Sequence, residues 1–329
     1  MNGHISPERL HDLVDGLVPS AERAPLEEHL RTCGSCKDRA ARIAGVVESL
    51  GPEVRSLKKG DRVFVSHHVP CNTCHYCLTG HHTACDMLHG TNFDPGGFAE
   101  FIRVPAPNVE RGTILLPEEL TFEEGTFIEP LGCVLRGQRV SGLEPGRTVL
   151  VIGSGLSGLL HIKLAVARGA GMIAATDLNP FRLDLARRCG ASRVFPASEF
   201  TPEALREFNE GRLADLVILC AGSLQAAEQA MASVDRGGTV LFFAVPHPDD
   251  RLVLPANEFW RNDITLKTSY AASLDDLVQT VELLRNRRVS VTDLITHRLS
   301  LAEAGLGFKL MAQAAESMKV IIEPQRKAG

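Results

Sequence analysis

A chain of 329 residues is long enough for two domains of ordinary size with small additions, and 44% apolar with 23% charged residues suits a globular protein with a sizeable core. A formal net charge of −5, a pI near 6.2 and the lack of any Lys/Arg block weigh against nucleic acid or an anionic membrane as partner. The start, MNGHISPERL, lacks the basic-then-apolar layout of a signal peptide. The most apolar stretch, 149–167, holds His161, Lys163 and three glycines, which fits a buried strand and helix rather than a membrane span. Nine cysteines in such a chain favour metal binding over disulfides and a reducing, cytoplasmic setting.

Residues 5–31 read as helical. Ser6-Pro7-Glu8 makes a helix start followed by Leu10, Leu13, Val14 and Leu17 at helical spacing, and Pro19-Ser20-Ala21-Glu22 makes a second, with Leu26 and Leu30 on one face. Around these helices lie His4 and, after 24 intervening residues, His29-x3-Cys33-x2-Cys36. Two His and two Cys suit a closed tetrahedral zinc that staples a module too small to hold a core alone. From residue 43 the texture changes to short β-like runs at 43–50, 62–66, 98–104 and 113–116. Between them stands Cys71-x2-Cys74-x2-Cys77-x7-Cys85. Four thiolates at this spacing can wrap one ion and leave no position for substrate, so a structural zinc is expected. An iron–sulfur cluster is the rival, against which the x7 gap and the absence of Cys-Pro count. The nearby His67, His68, His75, His81, His82 and His89 read as loop histidines, and Cys133, Cys189 and Cys220 as small buried apolar residues.

From residue 148 strands and helices alternate, as in βαβ units. Strands are expected at 148–153, 172–176, 193–195, 215–220 and 239–243, with helices near 156–168, 180–189, 202–209 and 224–234, and a last strand at Lys319–Ile322. TVLVIGSGLSG (148–158) is a β-branched strand running into Gly153-x-Gly155-x-x-Gly158. The glycines permit a tight turn, close approach of backbone to a pyrophosphate, and hard packing of helix on strand. The helix start then presents free N–H groups to the phosphates. Strand 172–176 ends at Asp177, where a carboxylate reaches ribose hydroxyls and repels a 2′-phosphate, so NAD is expected; Arg182 close by keeps NADP open.

These stretches resemble a known family. IAGVVESLG (43–51), KKGDRV (58–63), the four-cysteine lobe, GGFAEF (96–101), EPLGCVLRG (129–137), VLVIGSGLSG and GGTVLFFAVP (237–246) are similar, in order, to medium-chain zinc-containing alcohol and polyol dehydrogenases. The resemblance implies an α/β protein in which a Rossmann dinucleotide-binding domain (138–289) is inserted in a partial GroES-like β catalytic domain (41–137 plus 290–329). It implies hydride transfer between a secondary alcohol or polyol and the nicotinamide, with a dimer or tetramer as the assembly. It adds Leu156, Ser157, Ala221, Gly222, Ala244 and Val245 to the cofactor site, and makes Glu129 the counterpart of the family's third catalytic-zinc ligand. The family's Gly-His-Glu triplet, whose His binds that zinc, is replaced here by Ala40, Ala41 and Arg42, and the strands that precede it in the family have no counterpart in 1–40. Residues 1–40 instead form a separate unit, and 1–38 resemble a zinc-binding anti-sigma-factor domain, with His4, His29, Cys33 and Cys36 as its ligands and a protein partner in view.

Three readings follow. The chain is an NAD-dependent dehydrogenase of a small alcohol or polyol; or it binds NAD and zinc as a regulatory or scaffold protein; or two unrelated fragments have been joined. Recruitment of Cys33 or Cys36 to a rebuilt site beside Glu129 is a fourth idea, opposed by the complete ligand set that already uses both thiols.

Overall fold

The structure is a computed structural model that describes residues 43–247 and 249–326. The helices expected over 5–31, the ligand set His4, His29, Cys33 and Cys36, and Ala40, Ala41 and Arg42 lie outside the described residues.

The first described elements are short. Strands β1 (Ile43–Val46), β2 (Arg62–Val65) and β3 (Thr113–Leu115) make an antiparallel sheet in that order. Between β2 and β3 lie helices α1 (His75–Leu78), α2 (Asp86–Gly90) and α3 (Ala106–Gly112). Val63 and Val65 alternate with Phe64, so the two valines pack with Phe93 on one face, while Phe64 joins the main core on the other. Helix α4 (Phe122–Gly125), closed by a capping box from Thr121 and Glu124, leads into α5 (Ile128–Val140).

The strand expected over 98–104 does not form. That segment makes only the isolated bridge Asp94–Arg103, reinforced by an ion pair of 2.8 Å between the same residues. A strand is a pairing, not a property of one segment, and among the described residues no partner runs alongside Phe98–Phe101. Phe101 is left exposed as a result.

The strand–helix alternation expected from 148 is present and extends further than expected. It comprises β4 (Thr148–Ile152), α6 (Leu156–Ala167), β5 (Met172–Asp177), α7 (Pro180–Arg188), β6 (Arg193–Pro196), α8 (Pro202–Phe208), β7 (Ala214–Leu219), α9 (Leu224–Ala232), β8 (Val234–Phe242), α10 (Ala256–Arg261) and β9 (Thr265–Thr268). The six strands form one parallel sheet in the order β6-β5-β4-β7-β8-β9. All five residues of β4 are buried because helices cover both faces. Val149 and Val151 point into a core shared with α5 and α6; Leu150 and Ile152 point into the other, with Leu205, Ala227 and Met231. The order reverses beside β4, and ligands of such sheets bind at the carboxyl ends of the strands at that point.

Helix α11 (Leu274–Arg285) packs on α5 so closely that a Cβ on Gly132 would stand 2.8 Å from Leu277. Buried Asp276 ties the two helices: its Oδ1 accepts from Arg139 Nε and Nη2 at 3.0 and 2.8 Å, and its Oδ2 accepts from the Ser273 hydroxyl at 2.6 Å. After residue 290 the short elements expected there appear as β10 (Ile295–Ser300), α12 (Ala304–Gln313) and β11 (Lys319–Glu323), with β10 and β11 paired in parallel. Among the described residues no helix is long and apolar enough to cross a membrane.

Candidate functional site

The carboxyl ends of β4, β5, β7 and β8 converge on one edge of the parallel sheet, and the residues singled out from the dinucleotide motif meet there. Gly153 has φ +93°, a conformation that disfavours side chains, and a Cβ on it would press to 3.0 Å on the Cys220 carbonyl carbon and 3.1 Å on Ala221. Gly158, in the first turn of α6, allows that helix to sit against the turn: an added Cβ would stand 2.0 Å from the Gly153 carbonyl oxygen. Gly155 precedes the helix, and a Cβ added to it would meet Arg182 Nη1 at 3.8 Å, an ordinary van der Waals contact. Leu156 is buried behind the turn and Ser157 half-buried at its surface. Ala221 and Gly222 follow β7; Ala244 and Val245 follow β8, with the Ala244 N–H donating to Leu219 at 2.8 Å and Val245 60% exposed.

Asp177 closes the far side. Its Oδ2 accepts the Ser154 N–H at 2.8 Å and its Oδ1 the Asn179 N–H at 2.8 Å, so the carboxylate holds the glycine turn as well as facing the site. Ser154 is fully buried and its hydroxyl donates to the Thr176 carbonyl at 3.1 Å. This brace was not anticipated from the sequence; the cue is only that Ser154 lies between two motif glycines. Arg182, in the first turn of α7, places Nη1 3.9 Å from Asp177 Oδ2.

The second constellation is the thiol lobe. The sulfurs of Cys71, Cys74, Cys77 and Cys85 all lie within 4.8 Å of one another, with Cys77 3.6 Å from Cys74 and 3.9 Å from Cys71. N–H groups of Thr73 and Cys74 donate to the Cys71 sulfur at 3.4 and 3.2 Å, and Cys71 N–H donates to Cys85 at 3.3 Å. Hydrogen bonds from Thr73, then Cys74, lower the Cys71 thiol to about 5, while burial and the neighbouring thiols push Cys77 up to about 12. Four soft donors closing on one point, with N–H groups aimed at the sulfurs, fit a tetrahedral divalent ion. Among the described residues this is the one group of three or more His, Cys, Asp or Glu side chains placed to share an ion. The histidines around it make ring contacts instead: His67 on His68 at 3.9 Å and His89 stacked on Tyr270 at 5.4 Å. Arg136 clasps the lobe to α5, its Nη2 donating to the Thr83 hydroxyl at 3.1 Å.

Glu129 lies in the first turn of α5 and is buried. It is not the cap of that helix, a position held by Phe127. The Cys133 thiol, one turn on, donates to Glu129 Oε1 at 3.2 Å. Cys133 is thus buried as expected but is a polar partner and not only a packing residue; the i, i+4 spacing in EPLGC was the available signal. Among the described residues no third His, Cys, Asp or Glu is placed with this pair to share an ion, so they do not supply a catalytic-zinc site of the usual three ligands. Cys189 is buried, and desolvation pushes its thiol up to about 11.

Comparison with known proteins gives the same picture. Residues 39–117 match the alcohol dehydrogenase GroES-like domain, residues 158–286 the zinc-binding dehydrogenase model, and residues 8–37 a zinc-finger model. A curated relative named "Probable D-xylulose reductase A", from Aspergillus clavatus, is 31% identical over 286 residues, covering 85% of this chain and 78% of its own. This chain belongs to the zinc-binding dehydrogenase family. Its fold is shared with alcohol dehydrogenase TADH from Thermus sp. ATN1 (TM-score 0.77, 27% identity, 86% of this chain and 83% of that one). It is shared as well with a zinc-binding dehydrogenase of Sinorhizobium meliloti 1021 solved with NADP bound (TM-score 0.75, 25% identity, 85% and 82%). The family is one of oxidoreductases of the alcohol-dehydrogenase type, and zinc and a nicotinamide dinucleotide are its cofactors.

Proposed function

We propose that the chain binds NAD at the carboxyl edge of the six-stranded sheet and acts on a secondary alcohol or polyol as its small-molecule substrate. The observation that carries the dinucleotide part is the glycine turn braced by Asp177. Gly153 and Gly158 have room for no Cβ, so the backbone is drawn tight and the N–H groups at the start of α6 are left free for a pyrophosphate. Asp177 then accepts from the adenosine ribose hydroxyls beside the N–H groups it already holds. Gly155, Leu156, Ser157, Ala221, Gly222, Ala244 and Val245 line the path of the dinucleotide in this reading. When bound, the nicotinamide supplies the hydride-accepting centre.

The proposal assigns Cys71, Cys74, Cys77 and Cys85 to a structural zinc that fixes the loop between β2 and α2. It divides the chain into a zinc module (1–40, with ligands His4, His29, Cys33 and Cys36), a catalytic part (41–137 plus 290–329) and a dinucleotide part (138–289). A cytoplasmic dimer or tetramer goes with it. Glu129 is the residue assigned to the reacting end of the site. The described residues offer Glu129 and Cys133 but no third His, Cys, Asp or Glu to complete a catalytic-zinc site with them. The substrate class is supported by the curated relative's name, and the test is NADH formation over a panel of secondary alcohols and polyols. A flat response from protein that binds NADH would sink the catalytic part of the proposal.

A second reading has its own observation. Ala40, Ala41 and Arg42 stand where the family's metal-binding triplet is expected, which supports a NAD- and zinc-binding regulatory or scaffold protein. Native mass spectrometry of metal-replete protein separates the two. Three zinc ions per chain support a rebuilt catalytic centre; two, one for each cysteine cluster, favour the binding role.

A further inference from the structure

We propose that His89 of the thiol lobe is a positioning residue for the nicotinamide end of the dinucleotide site, acting through Tyr270 in the loop that follows β9. The inference rests on the dinucleotide reading above and goes beyond it, because it gives a side chain outside that site a part in its shape.

The sheet order locates the end in question. Asp177 closes β5, the glycine turn follows β4, and β7, β8 and β9 lie on the other side of β4. A dinucleotide with its adenosine ribose at Asp177 and its pyrophosphate on the turn therefore runs towards β7, β8 and β9. Neighbouring strands lie about 4.8 Å apart, so β8 is about 14 Å from β5, a span that suits the far half of the molecule. Thr268, the last residue of β9, pairs with Phe242 at the end of β8, and the Ser269 N–H donates to the Phe242 carbonyl at 3.3 Å. Tyr270 and Ala244 each stand two residues beyond that pair.

The loop is held from the catalytic part. Tyr270 and Ala271 pack on the buried Cys77, Cys85 and Leu88 of the lobe, and His89 stacks on the Tyr270 ring at 5.4 Å and 24°. Ala271 has φ +54°, a left-handed conformation that an alanine keeps only where its surroundings impose it. Ala272 is buried against α5, where a Cβ on Gly132 would stand 3.3 Å from it. Gly132 lies about one turn beyond Glu129, the residue assigned to the reacting end. The loop thus joins the lobe to the reacting end in a backbone shape it would not prefer alone. His89 is exposed and is not placed to share an ion with the four sulfurs. What it contributes is a flat surface against Tyr270.

The test is binding, so it does not depend on turnover. NADH and ADP-ribose, which lacks the nicotinamide, are titrated by calorimetry into full-length wild type, His89→Ala and His89→Phe at equal zinc content. An aromatic stack shifts the balance between placed and displaced loop by about three- to tenfold, and apparent affinity falls with the placed fraction. His89→Ala should therefore weaken NADH by about three- to tenfold and ADP-ribose by less than about twofold. His89→Phe, which keeps a ring on Tyr270, should return NADH to within about twofold of wild type. Unchanged NADH binding by His89→Ala would overturn the proposal, and so would equal weakening of both ligands, the mark of a general loosening. Wild-type protein that unfolds cooperatively yet binds neither ligand would refute the dinucleotide reading itself, and the two failures are thereby distinguished.

Discussion

Gly158→Ala puts the glycine-turn argument at risk most directly. Alanine is the better helix former by about 1 kcal/mol, so on propensity alone the change should stabilise α6. The local geometry opposes it. The new methyl would stand 2.0 Å from the Gly153 carbonyl oxygen and 3.0 Å from its carbon, where real Cβ atoms keep at least 3.0 Å. Both neighbours are backbone, so no side chain can rotate away. Relief requires α6 to move off β4 by about an ångström, carrying Leu159, Leu160 and Ile162, all fully buried, out of register with the core. Overpacking of that kind costs about 3 kcal/mol, leaving a net loss of about 2 kcal/mol after the helix gain. The same shift withdraws the N–H groups of the helix start from the pyrophosphate, so NADH affinity should fall at least about tenfold. Urea unfolding and NADH titration read the two effects. Gly305→Ala is the control, because nothing lies within 4 Å of its added methyl, and it should be neutral or stabilise by up to about 1 kcal/mol. If Gly158→Ala behaves like the control in both assays, the close approach of turn and helix is not what holds the dinucleotide.

Asp276→Ala removes the buried carboxylate that joins α5 to α11 and frees the half-exposed Arg139; it should cost about 2–4 kcal/mol in urea unfolding. His161 is fully buried between Gln138 and Phe243, and burial lowers it from 6.5 to about 3. The unfolded chain takes up that proton first as pH falls, so this contribution is complete above about pH 6.5 and is lost towards pH 3 at up to about 1.4 kcal/mol per pH unit. Between pH 7 and 5 the wild type should therefore lose unfolding free energy relative to His161→Phe as the pH drops, and parallel curves would refute the assignment. Stripping metal with a strong chelator should raise hydrogen exchange across 71–90 and leave β4, β5 and β7 protected; unchanged exchange in the lobe would mean that it needs no ion.

Legibility followed the range of the interactions. The glycine turn, β4, the strand–helix rhythm after 148 and the thiol spacing could be read because each is set by residues close together in the chain. Glu129 was found by resemblance, while its thiol partner Cys133, four residues on, was passed over as packing. Strand β9 and the clasp from Arg136 to Thr83 have no strong local signature, whereas helix α11 has one in its Ser273–Asp276 capping box and the helical spacing of Leu277, Val281 and Leu284.

What the sequence determined by itself is therefore the dinucleotide turn and the metal lobe, whose geometry follows from backbone sterics and ligand spacing within about fifteen residues. What the tertiary structure decided is everything that needs a second segment. Residues 98–104 have strand composition but, among the described residues, find no neighbour beyond the Asp94–Arg103 bridge, and so remain irregular. Asp276 and Arg139 meet across 137 residues. Asp177 becomes a brace of the turn only because β5 lies beside β4, and Arg182 comes to stand beside Asp177 and Gly155 only because α7 returns over that edge. Hydrogen bonds and charges act over a few ångströms, and only the folded chain brings residues so distant in sequence within that reach.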